Sequence, residues 1–329
     1  MNILGIETSC DETAAAVVVD GTKLLTNVVA SSQEMHAKFG GIIPEKAARE
    51  QLKSIIPVIT EAMGNHQIDA LAVTYGPGLI GSLLVGVETA KALAFAWNKP
   101  LIPVNHLIGH IYANWLDGKT PQFPALVLLV SGGHTELILM ANHGKFKYLG
   151  GTRDDAAGEC FDKCGRLLNL PYPYGPYIEK LSEEFDPQNK LGISFPRPML
   201  NDKNLEFSFS GLKTAFLNEY TKINDKTREN ELAYALQEAV TDVLTEKTAR
   251  AILKYRPVSL LVAGGVSANK KLREKLNAMV QSRFPNLRLF IPPISLCTDN
   301  ASYIASAAFF NYHEVPWEKV NADPSLQIR

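Results

Sequence analysis

Two histidines in this sequence have the spacing of metal ligands. In His106-Leu107-Ile108-Gly109-His110 they stand at i and i+4, so a helix would put both imidazoles on one face, within reach of one ion. A zinc protease needs the general-base glutamate of His-Glu-x-x-His. Leu107 fills that slot, which argues against peptide hydrolysis. The same pair also arises by chance as an ordinary core or surface pair. Asp299, in Cys297-Thr298-Asp299-Asn300, has two readings: with Thr298, a candidate N-cap of the apolar helix that follows, or the third ligand. Two imidazoles and one carboxylate with open positions suit iron or zinc. A shared cleft must bring these distant segments together.

A second group of residues could hold an anion. The stretch 127–139, VLLVSGGHTELIL, reads as strand, glycine turn, strand. Its backbone N–H groups, with the hydroxyls of Ser131 and Thr135, form a phosphate-holding concavity, and Gly132 and Gly133 allow close approach and unusual φ values. An ordinary Gly-Gly turn is the competing reading. His134 follows the glycines and could polarise a carbonyl or phosphoryl oxygen, or be a satisfied structural histidine. The N-terminal stretch 3–19 repeats the plan at low identity, with Asp11 and Glu12 on its turn. Carboxylates there could hold a metal or orient a water or amine; a plain polar turn needs only one. The echo suggests a duplicated unit, two domains each presenting a hairpin to a shared nucleotide cleft.

The elements that must position these groups alternate. A meander over 2–31 turns at Asp20-Gly21. Helices follow over about 45–63 and 83–97, with strands at 70–75 and 101–105 and a helix starting near His106. The turn Gly76-Pro77-Gly78 lacks the Walker pattern and serves close packing before an anion. The second half begins near Ala125. It continues through a strand at 146–150, helices from Asp154, a Pro- and Asp-rich insertion at 185–210, a long helix over 229–254, a strand at 259–263, a basic helix, a strand at 287–291 and a last helix over 299–312. The tail from Glu314 reads as loose. The expected division is 1–122 and 123–329, with a helical insertion at about 154–228, in an α/β fold with mixed sheets.

Gly264-Gly265 after a strand, with Asn269 opening a helix, would suit a flat ring and a ribose or base. Asp162 and Glu179 could accept from ribose hydroxyls or be solvated helix charges. Cys160 and Cys164, at i and i+4, read as packed thiols rather than a metal pair. Lys270, Lys271, Arg273 and Lys275 form a basic stretch that reads first as a solvated face and second as an RNA contact. The formal net charge of 329 residues is −1, so the chain as a whole carries no positive footprint for a polynucleotide. Four cysteines without a Cys-x-x-Cys pair fit a reduced, cytoplasmic protein. No apolar window long enough for a membrane span is expected, and no signal peptide.

Seven ordered motifs carry a resemblance over about residues 2–312: residues 5–13 (GIETSCDET), the His106/His110 pair, 130–135 (VSGGHT), 156–163 (AAGECFDK), 208–213 (SFSGLK), 264–269 (GGVSAN) and 297–300 (CTDN). Together they resemble the bacterial TsaD family, formerly labelled O-sialoglycoprotein endopeptidase. The resemblance implies an actin/Hsp70/sugar-kinase-like (ASKHA) fold. It also implies transfer of a threonylcarbamoyl group from threonylcarbamoyl-AMP to N6 of the tRNA adenosine 3′ to the anticodon, with release of AMP. His106, His110 and Asp299 match the ligands of one divalent metal, iron or zinc. Leu129, Val130, Ser131, Gly132, Gly133, Asp162, Gly175, Glu179 and Asn269 match adenylate-binding positions, where ATP or ADP could also bind. Asp11, Glu12 and His134 are the candidate catalytic groups. The implied partners are tRNA, a paralogous TsaB-type dimer partner and a TsaE-type small ATPase, with no membrane. Ile108 and Tyr174 depart from the family pattern, which has Glu and Gly there. The alternatives are a small-molecule kinase, ATPase or O-carbamoyltransferase of the same fold, a metalloprotease, and a non-catalytic nucleotide scaffold.

Overall fold

The computed structural model describes residues 1–116, 118–188, 192–223 and 228–328. It starts with the meander β1 (Asn2–Glu7), β2 (Glu12–Val19) and β3 (Lys23–Ser31). Asp20 and Gly21 both take positive φ, 48° and 68°, in the three-residue connection 20–22 between the paired Val19 and Lys23. A short helix α1 (Gln33–Ala37) leads to α2 (Pro44–Met63), which opens on a proline at its first position. Then come β4 (Ala70–Gly76), α3 (Ile80–Trp97), β5 (Leu101–Asn105) and α4 (His106–Tyr112). The second meander is β6 (Ala125–Val130), β7 (Thr135–Asn142) and β8 (Lys145–Gly151). It is followed by α5 (Ala157–Leu167), α6 (Tyr174–Glu183), α7 (Ser210–Tyr220), the long α8 (Glu229–Tyr255), β9 (Ser259–Ala263), α9 (Lys270–Arg283), β10 (Arg288–Phe290) and α10 (Ser302–Phe310).

The two sheets have one topology. The first runs β3-β2-β1-β4-β5, and the second, read from its β8 end, runs β8-β7-β6-β9-β10. In each, the first strand of the meander pairs antiparallel with the second and parallel with the strand on its other side. Those central strands are buried on both faces, which explains their continuous apolar runs. The chain forms two compact units: Met1–Pro121 with Asn142–Phe146 and Pro292–Arg329, and Gln122–Ala141 with Lys147–Ile291. The expected split at 122/123 assigned 292–329 to the second unit, whereas these residues pack in the first. Glycine explains part of the reason. A Cβ on Gly5 of β1 would lie 2.3 Å from Ala301 O, so only glycine lets the start of α10 sit on this strand.

Three further expectations change. The tail is docked, not loose. Val315 N donates to Leu101 O at 2.9 Å and Asp323 N to Tyr75 O at 2.7 Å. Val320 is buried, and Trp317 packs edge-on against Phe95. Among the described residues one helix, α3, is long and apolar enough to span a membrane by length and composition, at a mean hydropathy of 1.3. It packs one face into the first unit, with Leu83, Val87, Ala90 and Ala94 buried. The final helix begins at Ser302 with Ala301 at its cap position, so neither Thr298 nor Asp299 caps it.

Candidate metal centre and adenylate-side loops

Strand β5 ends where α4 begins, and Asn105 makes that junction by accepting from Leu107 N at 2.8 Å. His106 and His110 therefore sit one turn apart, with ring centroids 4.6 Å apart. Between them, Gly109 lets α10 come close: a Cβ there would meet Ile304 Cδ1 at 2.6 Å and Tyr303 Cδ2 at 2.8 Å. That approach brings in Asp299. Its Oδ1 lies 3.3 Å from His110 Nε2 and 3.7 Å from His106 Nε2. One ligand atom from each residue falls within 4.8 Å of the others. Ligands about 2.1 Å from a common ion stand about 3–3.5 Å apart; the two distances to Asp299 Oδ1 are close to that, and a bound ion would draw in any pair near the 4.8 Å limit. The donor set fits a divalent first-row metal.

The far nitrogen of each ring differs. His106 Nδ1 lies 3.0 Å from Glu7 Oε2 and 3.2 Å from Ser9 Oγ. Glu7 is fully buried and also accepts from Ser9 N at 2.5 Å and Thr74 Oγ1 at 2.6 Å. The carboxylate thus fixes the ring so that Nε2 faces Asp299. His110 Nδ1 is buried without a partner. Burial lowers the pKa of His110 and keeps its ring neutral, as a ligand must be. Burial alone would lower His106 too, but Glu7 and Asp299 outweigh it and raise the ring to about 9. Burial opposes ionisation of Asp299, yet His106 and His110 hold its carboxyl down at about 2. Burial, then Asp299 and Asp11, raise Glu12 to about 10. A cation among these groups would relieve that crowding of negative charge.

Asp11 and Glu12 lie outside the three-ligand group. Their turn is clamped from behind: Gln51 Nε2 donates to Glu12 O at 2.9 Å and Cys10 O at 3.1 Å, and Ser82 Oγ to Cys10 O at 3.0 Å. The Gly76-Pro77-Gly78 turn packs closely. A Cβ on Gly78 would come within 2.5 Å of Ser9 O, and one on Gly76 within 1.9 Å of Asp323 O.

In the second unit, the β6–β7 turn closes on itself. Ser131 N donates to His134 O at 2.8 Å and His134 N to Ser131 Oγ at 3.1 Å. Neither Gly132 nor Gly133 has positive φ, so unusual backbone angles are not their reason. Both face open space where a Cβ would stand. The start of α5 is bonded to this turn: Gly158 N donates to Ser131 O at 3.2 Å, Glu159 N to Gly132 O at 3.1 Å and Ala157 N to Thr135 Oγ1 at 2.9 Å. A Cβ on Gly158 would sit 2.6 Å from Ser131 O. Leu129 pairs with Ala263 across the parallel β6/β9 ladder, so the 130–133 and 264–265 loops emerge side by side at the carboxyl ends of these strands. Ligands of open α/β sheets bind there. Gly265 and Gly175 also face open space. Asn269 Oδ1 caps α9 through Leu272 N at 2.9 Å, and its Nδ2 donates to Gln237 Oε1 at 2.9 Å. Glu179 accepts from Lys270 N at 2.5 Å. Burial raises Asp162 to about 6.

The basic stretch on α9 is neutralised within the unit. Lys270 pairs with Glu183 at 2.7 Å, Lys271 with Glu238 at 3.0 Å, and Lys275 with Glu238 at 2.8 Å and Asp242 at 2.5 Å. Arg273 Nε donates to Ser267 O at 2.7 Å. Cys160 and Cys164 are buried free thiols. Sequence reasoning missed the roles of Glu7, Ser9 and Gln51; an acidic residue ending the apolar run Ile3–Ile6 was the available signal for Glu7.

The class follows from the fold. The chain is similar to HypF of T. kodakarensis (TM-score 0.59, 12% identity, 94% of this chain and 48% of that one). It is similar to an activator of 2-hydroxyisocaproyl-CoA dehydratase from Clostridium difficile (0.54, 12%, 94% and 95%). A ROK family glucokinase from Streptomyces griseus gives 0.50 and 12%, over 93% and 98%. These likenesses show an actin/Hsp70/sugar-kinase-like fold. The TsaD family, described as tRNA N6-adenosine threonylcarbamoyltransferase, matches residues 23–306. Relatives of that name are 50% identical over 342 residues in Geobacillus thermodenitrificans (99% of this chain, 96% of the relative) and 49% over 337 in Moorella thermoacetica (99% and 97%). The chain belongs to the TsaD family, and it is an acyltransferase.

Proposed function

We propose that this chain transfers the threonylcarbamoyl group from L-threonylcarbamoyladenylate to N6 of the adenosine 3′ to the anticodon, in tRNAs reading codons that begin with A. The observation that carries the reading is the convergence of His106, His110 and Asp299 in a member of this family. These three residues would hold the metal, read as Fe²⁺ with Zn²⁺ as the alternative. When bound, the ion supplies Lewis-acid polarisation of a phosphate or carbamoyl oxygen. Glu7 and Ser9 orient His106 for that role. Backbone N–H groups at Gly132 and Gly133 and the Ser131 hydroxyl take the phosphate side. Leu129, Val130, Asp162, Gly175, Glu179 and Asn269 hold the adenosine, and ATP or ADP shares that moiety. The tRNA amine attacks the carbamoyl carbon, a C–N bond forms, the C–O bond to phosphate breaks, and AMP leaves. Asp11 and Glu12 orient the amine, and Asp11 accepts its proton. His134, beside the glycines, donates to the developing oxyanion.

The partner reading rests on surface chemistry. Helices α2 and α3 pack together and leave Leu52, Ile56, Ile80 and Leu84 exposed, an apolar face of the kind that a dimer partner covers. We assign it to the TsaB-type partner; the TsaE-type ATPase would act on that assembly. The near-zero net charge and the neutralised α9 leave tRNA binding shared with these partners. The free thiols of Cys10, Cys160 and Cys164 support a cytoplasmic setting. A kinase reading would need phosphoryl transfer to a metabolite, and an ATPase reading transfer to water. The reading is tested by nucleoside analysis of tRNA from cells depleted of this protein: threonylcarbamoyladenosine should disappear, and an unchanged level would overturn it.

A further inference from the structure

Asp299 is the one of the three candidate ligands that no helix or strand carries. Its stretch of chain is tied by the neighbouring Asn300. Asn300 Nδ2 donates to Thr298 O at 2.8 Å, and its Oδ1 accepts from Ser302 N at 3.1 Å and from Ser302 Oγ. Those bonds fix the backbone on either side and leave the Asp299 carboxylate to turn about its own side-chain bonds. A tyrosine one helical turn further on reaches it. Tyr303 Oη donates to Asp299 Oδ1 and accepts from Asn300 N, each at 3.4 Å. Both bonds are long for a hydroxyl, and it is the packing of the ring that keeps the hydroxyl at this spot. The ring is fully buried, with its centroid 4.7 Å from that of His110 and 6.3 Å from that of His106.

A position filled for packing alone is served by phenylalanine, because a buried hydroxyl is costly unless it is paired. Here its proton goes to the oxygen that lies nearest both imidazoles: Oδ1 is 3.3 Å from His110 Nε2 and 3.7 Å from His106 Nε2. Tyr303 is thus the common neighbour of all three groups, touching the rings with its face and the carboxylate with its tip. We propose that Tyr303 is a positioning residue of the metal centre, whose hydroxyl holds Asp299 so that Oδ1, and not both carboxylate oxygens, faces the ion. This rests on the metal reading above. A site that spends one oxygen of Asp299 keeps a position open for an oxygen of the substrate, as a catalytic centre must. Glu7 orients His106 from one side of the site, and Tyr303 orients Asp299 from the other.

The test is a titration of the full chain with Co²⁺, whose visible band reports the number and geometry of its ligands. The wild type should take up about one equivalent. Tyr303→Phe keeps the ring and loses the hydroxyl. It should bind Co²⁺ about tenfold more weakly, with a changed visible band as the released carboxylate turns. Ser306→Ala removes another buried hydroxyl of α10, one bonded to Gly21 O at 2.6 Å, and should alter neither affinity nor band. Tyr303→Met, whose thioether adapts to irregular gaps, should repeat the phenylalanine result and decides the matter if Tyr303→Phe does not fold. Wild-type affinity and band in either Tyr303 variant, or an equal loss in Ser306→Ala, overturns the proposal. So does a tyrosinate band in the ultraviolet when Co²⁺ is added to the wild type, which would make Tyr303 a ligand in its own right. A wild type that takes up no Co²⁺ overturns the metal reading and this proposal with it, whereas the other outcomes strike the proposal alone.

Discussion

His106 and His110 use their two nitrogens differently, and that asymmetry is testable at the scale of single residues. Each Nε2 faces Asp299, but only His106 has its other nitrogen held by a carboxylate, that of Glu7. Replacing a proposed ligand outright, as in His110→Ala, should reduce bound metal from about one equivalent to none by elemental analysis. Glu7→Gln keeps the size and loses the charge, so it should retain the fold and weaken metal affinity about ten- to a hundredfold in a competition titration. Equal affinity in wild type and Glu7→Gln would remove Glu7 from the site. The sequence pointed to both histidines, because i, i+4 spacing is visible in one dimension. It left Asp299 open between cap and ligand. That Asp299 comes beside both imidazoles depends on Gly109, whose missing Cβ lets α10 lie against α4, and no local pattern marks that approach.

At the scale of elements, the β6–β7 turn and the first turn of α5 behave as one piece. Three N–H groups of α5 bond to the turn or to Thr135 just after it, and a Cβ on Gly158 would meet Ser131 O. Gly158→Ala should cost about 1–3 kcal/mol by overpacking and weaken adenylate binding together with melting temperature. A variant of unchanged stability that binds adenylate normally would separate the two elements. Helix α7 is held differently. Asp154 accepts from Ser208 Oγ at 2.6 Å, Phe209 N at 2.8 Å and Ser210 Oγ at 2.8 Å. Burial would raise its pKa, but these bonds outweigh it and hold the carboxyl below its usual value. A depressed folded-state pKa stabilises above the unfolded value of about 4 and is lost as pH falls through the folded one. Hydrogen exchange at 207–214 should therefore accelerate below about pH 4 in the wild type, and be fast with no such pH step in Asp154→Asn. The motif 208–213 was visible as a string of residues; its tether, 54 positions upstream of Ser208, was not.

For the whole molecule, the internal echo between residues 3–19 and 127–139 proved a better guide than their identity. It anticipated two sheets of one topology, because a hairpin turn between apolar runs leaves a pattern in sequence whatever the residues. The tail was misread for the converse reason. Its polar composition conceals backbone bonds to Leu101 and Tyr75 and the burial of Val320, which only the folded strands supply. The exposed apolar residues of α2 and α3 give a prediction at this scale. Leu84→Asp should leave the melting temperature of the isolated chain within a degree or two and abolish co-elution with the TsaB-type partner. Undiminished co-elution would move that interface elsewhere. The central claim, acyl transfer to a tRNA amine, is tested most directly by reconstitution. The chain, its metal and its partners are given tRNA and adenylate labelled in the threonyl group, and AMP and labelled nucleoside are counted together. The account predicts one labelled N6-adenosine for each AMP released, with both lost in His110→Ala. AMP released without label reaching tRNA, or label transferred equally well by His110→Ala, would contradict it.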